Sequence, residues 1–291
     1  MGHRPTPMPP SSPPDVARET PFFFESGQRP LYAVYHAPHR ERAHAPVVVY
    51  VHSTGVEQLT NYRNQSNLAR AAAAAGFPVL RYHARGHGDS GGDYAEVTFE
   101  RLVEDARAAA AEARARSGAA RVAWVGERLG ALVAARALAD DAGTAGLALW
   151  EPVHRPFDYF RGMLRGMLFS QVAKGEKPAE TVDQLLERLE VEARVDVHGY
   201  YLHRALVASL RQADLGALLQ GWRGPTLIAQ VQARPRLSPA NGTLAATLES
   251  RGMKVATLLV AEEPGWHFIS NPAWESAELV RGTVEWLDAL A

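Results

Sequence analysis

From residue 46 onward, short continuous apolar runs alternate with longer segments in which apolar residues recur every three to four positions. Continuous runs are typical of parallel strands covered on both faces, and the longer period is typical of helices. The predicted strands are 47–51, 78–82, 121–125, 147–150, 226–232 and 254–260, and the predicted helices are 61–75, 98–117, 129–138, 241–250 and 276–290. This alternation predicts an α/β fold with a doubly wound, mostly parallel sheet.

Three parts of the chain depart from this alternation. Residues 21–24 and 31–36 are β-rich runs around Ser26-Gly27-Gln28, which predicts an antiparallel hairpin of edge strands. Residues 154–221 contain no strand pattern but three amphipathic patterns, at 158–173, 179–194 and 199–219. We therefore expect a helical cap at 154–221, inserted into a core formed by 20–153 and 222–291. The Pro-rich residues 1–19 are expected to be a disordered tail.

Composition narrows the class of protein. The net charge of -1, from 31 basic and 32 acidic residues, provides no field that would attract nucleic acid. The absence of cysteine excludes disulfides and a thiol nucleophile, and it makes the cytoplasm the expected location. No apolar run approaches the ~20 residues of a membrane span. We expect a soluble protein that acts on a small molecule; a homodimer remains open.

The segment after the predicted strand 121–125 has the spacing of a tight catalytic turn. It reads Gly126-Glu127-Arg128-Leu129-Gly130 and leads into an Ala-rich helix. Glycines at both ends let strand and helix approach closely, which forces the central residue into a strained conformation at the carboxyl edge of the sheet. The sequence therefore predicts that Arg128 is presented there, beside a helix N-terminus.

Three further segments carry a family resemblance. Residues 81–92 resemble the D-x-R-G-x-G-x-S loop of α/β-hydrolases, with His83 in place of Asp; His52-Ser53 resembles the H-G loop after the third strand; and residues 263–268 resemble the segment that holds the catalytic histidine. In chain order, these motifs resemble the α/β-hydrolase superfamily of serine aminopeptidase and esterase type. A closer resemblance is to the exosortase A system-associated hydrolases, which carry Arg in this turn and a Leu-Trp-x-Pro-Val segment like 149–153.

The resemblance implies roles for particular residues. His267 stands at the position of the catalytic histidine, although a lone histidine can also be structural. The loop after strand 226–232 holds no acid, so Glu151, at the end of strand 147–150, is the candidate partner of His267. Backbone N–H groups near Ser53 and Leu129 are the candidate oxyanion donors, with His52 and Glu127 beside them. No metal or cofactor is expected.

Two of these residues allow opposing interpretations. Arg128 could bind a carboxylate or phosphate or stabilise an oxyanion through its planar donors, or it could fill a disabled site by pairing with Glu127 or Glu151. Ser53 could be a displaced nucleophile or a loop serine that bonds backbone. The cluster of His52, His83 and His87 is interpreted as structural rather than metal-binding.

These interpretations lead to three hypotheses for function. The first is a hydrolase-type or acyl-transfer enzyme with His267 as general base, acting on a small acyl, ester or amide substrate whose anionic group would suit Arg128. The second is a catalytically silent pseudo-hydrolase that binds a ligand or a partner protein. The third is a biosynthetic lyase, cyclase or acyl transferase, because one fold can host many chemistries.

Overall fold

The computed structural model describes residues 19–40, 42–266 and 274–291. Within them, eight strands form one sheet: β1 Glu19–Ser26, β2 Arg29–His36, β3 Val47–Val51, β4 Val79–Tyr82, β5 Val122–Glu127, β6 Thr144–Trp150, β9 Thr226–Val231 and β10 Val255–Val260. The strand order is β1-β2-β4-β3-β5-β6-β9-β10. β1 and β2 pair antiparallel with their neighbours, and the other strands pair parallel. The predicted doubly wound, mostly parallel sheet is confirmed.

Helices cover both faces of this sheet. They are α1 Val56–Ala74, α2 Phe99–Ser117, α3 Gly130–Leu138, α8 Pro239–Ser250 and α9 Ala277–Asp288. The apolar residues of α1 and α9 pack on one face, and those of α2, α3 and α8 pack on the other. Because both faces are covered, β3 and β5 are buried along their whole length, which explains their continuous apolar sequences. None of the helices in the described part combines the length and hydropathy needed to span a membrane.

The N-terminal hairpin forms as predicted, with one correction. β1 and β2 pair around a turn in which Gly27 has φ 60°, a conformation that glycine adopts without strain. β1 lies at the edge of the sheet, but β2 lies between β1 and β4. The expectation of two edge strands is therefore wrong for β2, whose residues Leu31 and Ala33 are fully buried.

Residues 154–221, which we call the inserted segment, are only partly helical. They contain α4 Pro156–Ala173, α5 Val182–Glu192, β7 Arg194–Val197, β8 Tyr200–His203, α6 Arg204–Leu210 and α7 Leu215–Leu218. The predicted helix at 199–219 and the predicted lack of strands are wrong, because β7 and β8 form an antiparallel hairpin. His198 and Gly199 have φ 56° and 84°, the positive values that a two-residue type I′ turn requires. α7 then starts separately at Leu215, after the N-cap residue Asp214, whose side chain accepts from Ala217 N.

Candidate active site

The turn between β5 and α3 has the tight geometry that its glycines predict. A Cβ on Gly126 would lie 2.7 Å from Ala131 Cα, and one on Gly130 would lie 2.3 Å from Val51 O. Only glycine fits at both positions, so α3 can begin directly against the end of β3. Arg128, between them, has φ 51°, which costs a non-glycine residue roughly 1–2 kcal/mol. The strained conformation predicted for residue 128 is confirmed.

Two of the acceptors that hold the Arg128 side chain belong to described residues, Glu57 and Glu151. Its Nε donates to Glu57 Oε1 at 3.1 Å, and its Nη1 donates to the Glu151 carbonyl at 3.0 Å. Only 11 % of the side chain is exposed, and the Glu57 side chain is fully buried. Burial alone would lower the pKa of Arg128, but the carboxylates of Glu57 and Glu151 hold it above its ordinary value. Arg128 therefore stays charged and cannot serve as a base.

Glu57 is the functional candidate that the sequence did not indicate. The predicted helix began at residue 61, whereas α1 begins at Val56 and places Glu57 in its first turn. Glu57 Oε2 accepts from Ser53 Oγ at 2.6 Å, and Oε1 accepts from Arg128. An acid in the first turn of a helix is a recognisable signal, because the helix dipole favours negative charge there. The ion pair expected with Glu127 or Glu151 is thus formed with Glu57.

The Glu127 side chain is fully buried, and its hydrogen-bond donors are groups other than Arg128. Tyr50 Oη and Gln65 Nε2 donate to its Oε2 at 2.5 and 3.2 Å. Burial raises the pKa of Glu127 to about 8, and the nearby Glu57 carboxylate adds to the shift. Glu127 therefore carries a proton at neutral pH and does not contribute a charge to the site.

Glu151 lies at the end of β6 with its side chain directed toward the neighbouring strand. Its φ is 42°, and its Oε2 accepts from Val231 N at 2.9 Å. This contact anchors the carboxylate at the carboxyl edge of β9. The predicted partner, His267, lies outside the described residues, so the pairing of Glu151 with His267 stays a prediction.

The residues of the predicted oxyanion loop are buried around the start of α1. Ser53 is fully buried, and its hydroxyl donates to Glu57. His52 Nδ1 contacts Ser53 O at 2.5 Å, and its Nε2 accepts from Ala84 N at 3.0 Å, so main-chain groups engage both ring nitrogens. Burial lowers the pKa of His52 well below its ordinary value. We therefore assign the His52 side chain a structural role in the loop rather than a contact with substrate. Leu129, the other predicted oxyanion residue, is the N-cap residue of α3.

The loop at 81–92 is held by polar contacts to α2, to β2 and within itself. Arg85 donates to Asp105 and Glu104, and Ser90 Oγ accepts from Tyr32 N while donating to His83 O. Burial lowers the pKa of His87 to about 4 and also lowers that of His83. Because its histidines are neutral and its charges are paired, we assign this loop a structural role at the edge of the sheet.

A cavity of about 610 Å³ opens above Arg128. One wall is formed by one face of α8. The other wall is formed by the start of α4 with the residues before it, and by the start of α7. The lining residues include Arg128, Val153, His154, Arg155, Asp158, Tyr159, Asp214, Gly216, Pro239, Ala240, Thr243, Leu244 and Thr247. Its volume lies within the ~300–1,000 Å³ typical of small-molecule sites. The turn thus presents Arg128 to a space large enough for a small ligand.

Solved structures of hydrolases resemble this chain over nearly its whole length. Est1E from Butyrivibrio proteoclasticus, solved with ferulic acid bound, aligns with a TM-score of 0.65 and 14% identity over 92% of this chain and 96% of that chain. Proline iminopeptidase from Mycobacterium smegmatis aligns at 0.61 and 14% identity, covering 93% and 98% of the two chains. An esterase from Pyrococcus furiosus aligns at 0.60 and 14% identity, covering 98% and 94%. No curated protein is significantly similar in sequence.

The sheet order, the tight turn after β5 and these likenesses define the α/β-hydrolase fold. The profile of the family described as serine aminopeptidase, S33, matches residues 42–217, which is more than half of the chain. The chain belongs to that family.

Proposed function

We propose that the chain is a hydrolase-type enzyme that acts on a small acyl compound without forming an acyl-enzyme at residue 128. The observation that carries this proposal is the placement of Arg128 at the strained turn, on the wall of the cavity. In this fold that turn presents the group that meets the reacting carbonyl. A guanidinium there can donate hydrogen bonds to a developing oxyanion but cannot attack carbon.

The charges around Arg128 favour a neutral acyl group over a free carboxylate or phosphate. Glu57 already forms an ion pair with the guanidinium, and Glu151 adds a second carboxylate nearby. Among the charges of the described residues, an anionic ligand at the guanidinium would therefore meet no net positive charge. The carbonyl oxygen of an ester, thioester or amide suits this environment better, and the anionic substrate suggested by the sequence is the weaker alternative.

The proposed reaction uses water or a substrate hydroxyl as the nucleophile. His267, oriented by Glu151, takes the proton as the oxygen attacks the carbonyl carbon, and it returns that proton to the leaving group when the bond to the leaving group breaks. Arg128 and the backbone N–H groups near Ser53 and Leu129 stabilise the oxyanion in between. A hydroxyl acceptor would make the reaction an acyl transfer. The closer resemblance to the exosortase A system-associated hydrolases belongs to this proposal and rests on Arg128 and 149–153.

One observation favours the second candidate, a silent pseudo-hydrolase that binds a ligand. The ion pair with Glu57 balances the charge of Arg128 and uses one guanidinium donor, and the Glu151 carbonyl accepts from a second donor. Ser53, the alternative nucleophile, is fully buried, and its hydroxyl is bonded to Glu57. A site whose charges are paired and whose serine hydroxyl is already hydrogen-bonded could bind a ligand without catalysing a reaction. The experiment below separates the two candidates.

The test compares the wild type with the double variant R128S/E57Q. R128S places a hydroxyl at the turn. E57Q removes the buried charge that would otherwise lose its partner, because breaking a buried ion pair costs roughly 3–5 kcal/mol. Both proteins are assayed on a panel of short p-nitrophenyl esters, acyl thioesters and amides and treated with a fluorophosphonate probe. Circular dichroism confirms that the variant folds.

We expect the wild type to turn over a member of the panel with no burst and no labelling. The variant R128S/E57Q should lose most of that turnover and become labelled at residue 128. Labelling of wild-type Ser53, or a burst in the wild type, would overturn the proposal in favour of a covalent serine route. An inactive wild type beside a labelled variant would establish the silent candidate.

A further inference from the structure

His154 occupies a defined position on the wall of the cavity that Arg128 also lines. It follows β6 by four residues and precedes α4. Its main-chain carbonyl accepts from Leu215 N at 3.0 Å, which ties the first residue of α7 to this position. The side chain is half-buried and lines the cavity. Two ends of the inserted segment therefore fix the backbone that carries this imidazole.

The side chain of His154 is oriented by a chain of buried amides. Its Nε2 lies 2.7 Å from Asn241 Oδ1, and Asn241 Nδ2 donates to Gln230 Oε1 at 2.8 Å. Asn241 and Gln230 are 2 % and 1 % exposed. His154 lies just before α4, Asn241 lies on α8 and Gln230 lies on β9. Three separate parts of the fold therefore hold the imidazole in place.

Main-chain groups determine the direction of the hydrogen bonds that link Gln230, Asn241 and His154. Ser238 N donates to Gln230 Oε1 at 2.8 Å, and Gln230 Nε2 donates to Arg236 O at 3.0 Å, so the Gln230 amide has only one possible orientation. Asn241 must then direct its NH₂ at Gln230 and its oxygen at His154. His154 Nε2 is consequently the donor, and in the neutral ring Nδ1 is the acceptor. Among the described residues, no group forms a hydrogen bond with that Nδ1.

We propose that His154 Nδ1 accepts a hydrogen bond from an N–H or O–H group of the ligand in this cavity. The ligand class is then a small acyl compound with an apolar body, a carbonyl directed to Arg128 and a donor group directed to His154. Val153, Ala240 and Leu244 supply the apolar part of the wall. An acceptor on the cavity wall selects for a ligand donor, because a bound analogue without the donor would cover that acceptor and leave it unpaired. This inference rests on the proposed function only in taking the cavity as the substrate site.

The test uses six rigid probes that need no turnover and carry no amide N–H: 2-, 3- and 4-hydroxy-N,N-dimethylbenzamide and the three matching methoxy compounds. Each pair offers the same carbonyl, and only the hydroxy member offers a donor, at three spacings from that carbonyl. Affinities are measured by protein-observed NMR at pH 8 for the full chain and for the variants H154F and H39F. His39 is exposed and lies between β2 and β3, outside the cavity lining, so H39F controls for the loss of an imidazole.

We expect at least one hydroxy isomer to bind the wild type roughly five- to tenfold more tightly than its methoxy partner, the worth of one net hydrogen bond. H154F should abolish that preference, and H39F should keep it. Equal binding of both members in every pair, a preference retained in H154F, or no binding of any probe would overturn the inference. Because turnover is not measured, failure of the proposed reaction leaves this result intact, and the two failures are distinguishable.

The tautomer offers a second, independent readout. Long-range ¹H–¹⁵N spectra of the wild type should show His154 protonated at Nε2 and unprotonated at Nδ1, with the signal assigned by its loss in H154F. The variant N241L removes the acceptor and should release this preference. A wild-type His154 protonated at Nδ1 instead would overturn the inference, since that nitrogen would then be a donor.

Discussion

Three acidic side chains near one guanidinium are each held in a different way. Glu57 forms an ion pair with Arg128, burial raises the pKa of Glu127 to about 8, and Glu151 accepts from the main chain of β9. Glu127 and Arg128 are adjacent in sequence, yet their side chains have separate partners. The environment of each carboxyl, rather than its residue type, therefore decides whether it contributes charge to the site.

The raised pKa of Glu127 should make the stability of the protein depend on pH. The folded-state pKa of about 8 lies above the ordinary value of 4.5, so the folded state binds this proton more tightly than the unfolded state. This contribution is fully present below pH 4.5 and is lost as the pH rises toward 8. The variant E127Q keeps the shape without titrating, so its stability relative to wild type should increase from pH 5 to pH 8. Urea unfolding at both values measures the change.

The control for this experiment is E249Q, which removes an exposed carboxyl of α8. Its stability should differ from wild type by the same amount at both pH values. If E127Q behaves like E249Q, then the buried carboxyl is ionised in the folded protein, and the description of Glu127 as a neutral group is wrong.

At the scale of elements, the apolar pattern located the strands because a sheet covered on both faces needs continuous apolar sequence. The start of α1 could not be found this way, since its first turns bury polar residues: Glu57, Thr60 and Asn61 are fully buried. The pattern likewise placed Arg128 at the strained turn but could not identify its partner, because Glu57 approaches from a different helix. The β7–β8 hairpin was missed because four-residue strands are too short to separate from a helical period.

The hairpin turn gives a prediction that distinguishes two glycines. Gly199 has φ 84°, so G199A should destabilise the hairpin by roughly 1–2 kcal/mol. Gly162 lies inside α4, where an added Cβ meets open space, so G162A should stabilise the helix by about 0.5–1 kcal/mol. Amide hydrogen exchange across residues 194–203 and 156–173 measures the two effects separately. Slower exchange in 194–203 of G199A would contradict the positive φ at this turn.

At the scale of the whole molecule, the inserted segment and the sheet share one hydrophobic core. Leu206 and Leu210 of α6 belong to the same buried cluster as Leu102 and Leu132 of α2 and α3. Ser209 Oγ also accepts from Phe99 N, which caps the start of α2 at 2.9 Å. Segments that share a core and a helix cap are expected to unfold together. The segment that forms part of the cavity wall is therefore tied to the sheet that positions Arg128.

This coupling predicts one cooperative unfolding transition for the described core, and tryptophan fluorescence can test it. All six tryptophans lie outside residues 154–221, but Trp222 N donates to Leu219 O of the inserted segment. Every protein in this test therefore carries W222F, and the remaining fluorescence reports on the sheet and its helices. The variant L206A removes a side chain that is 1 % exposed and should cost roughly 2–5 kcal/mol. Its fluorescence and far-UV circular dichroism midpoints in urea should shift together.

The control is V191A, at a position on α5 that is 84 % exposed, which should change the free energy of unfolding from either signal by no more than about 0.5 kcal/mol. A fluorescence midpoint left unchanged in L206A would show that the inserted segment unfolds on its own, and the cavity wall would then be free to move independently of Arg128.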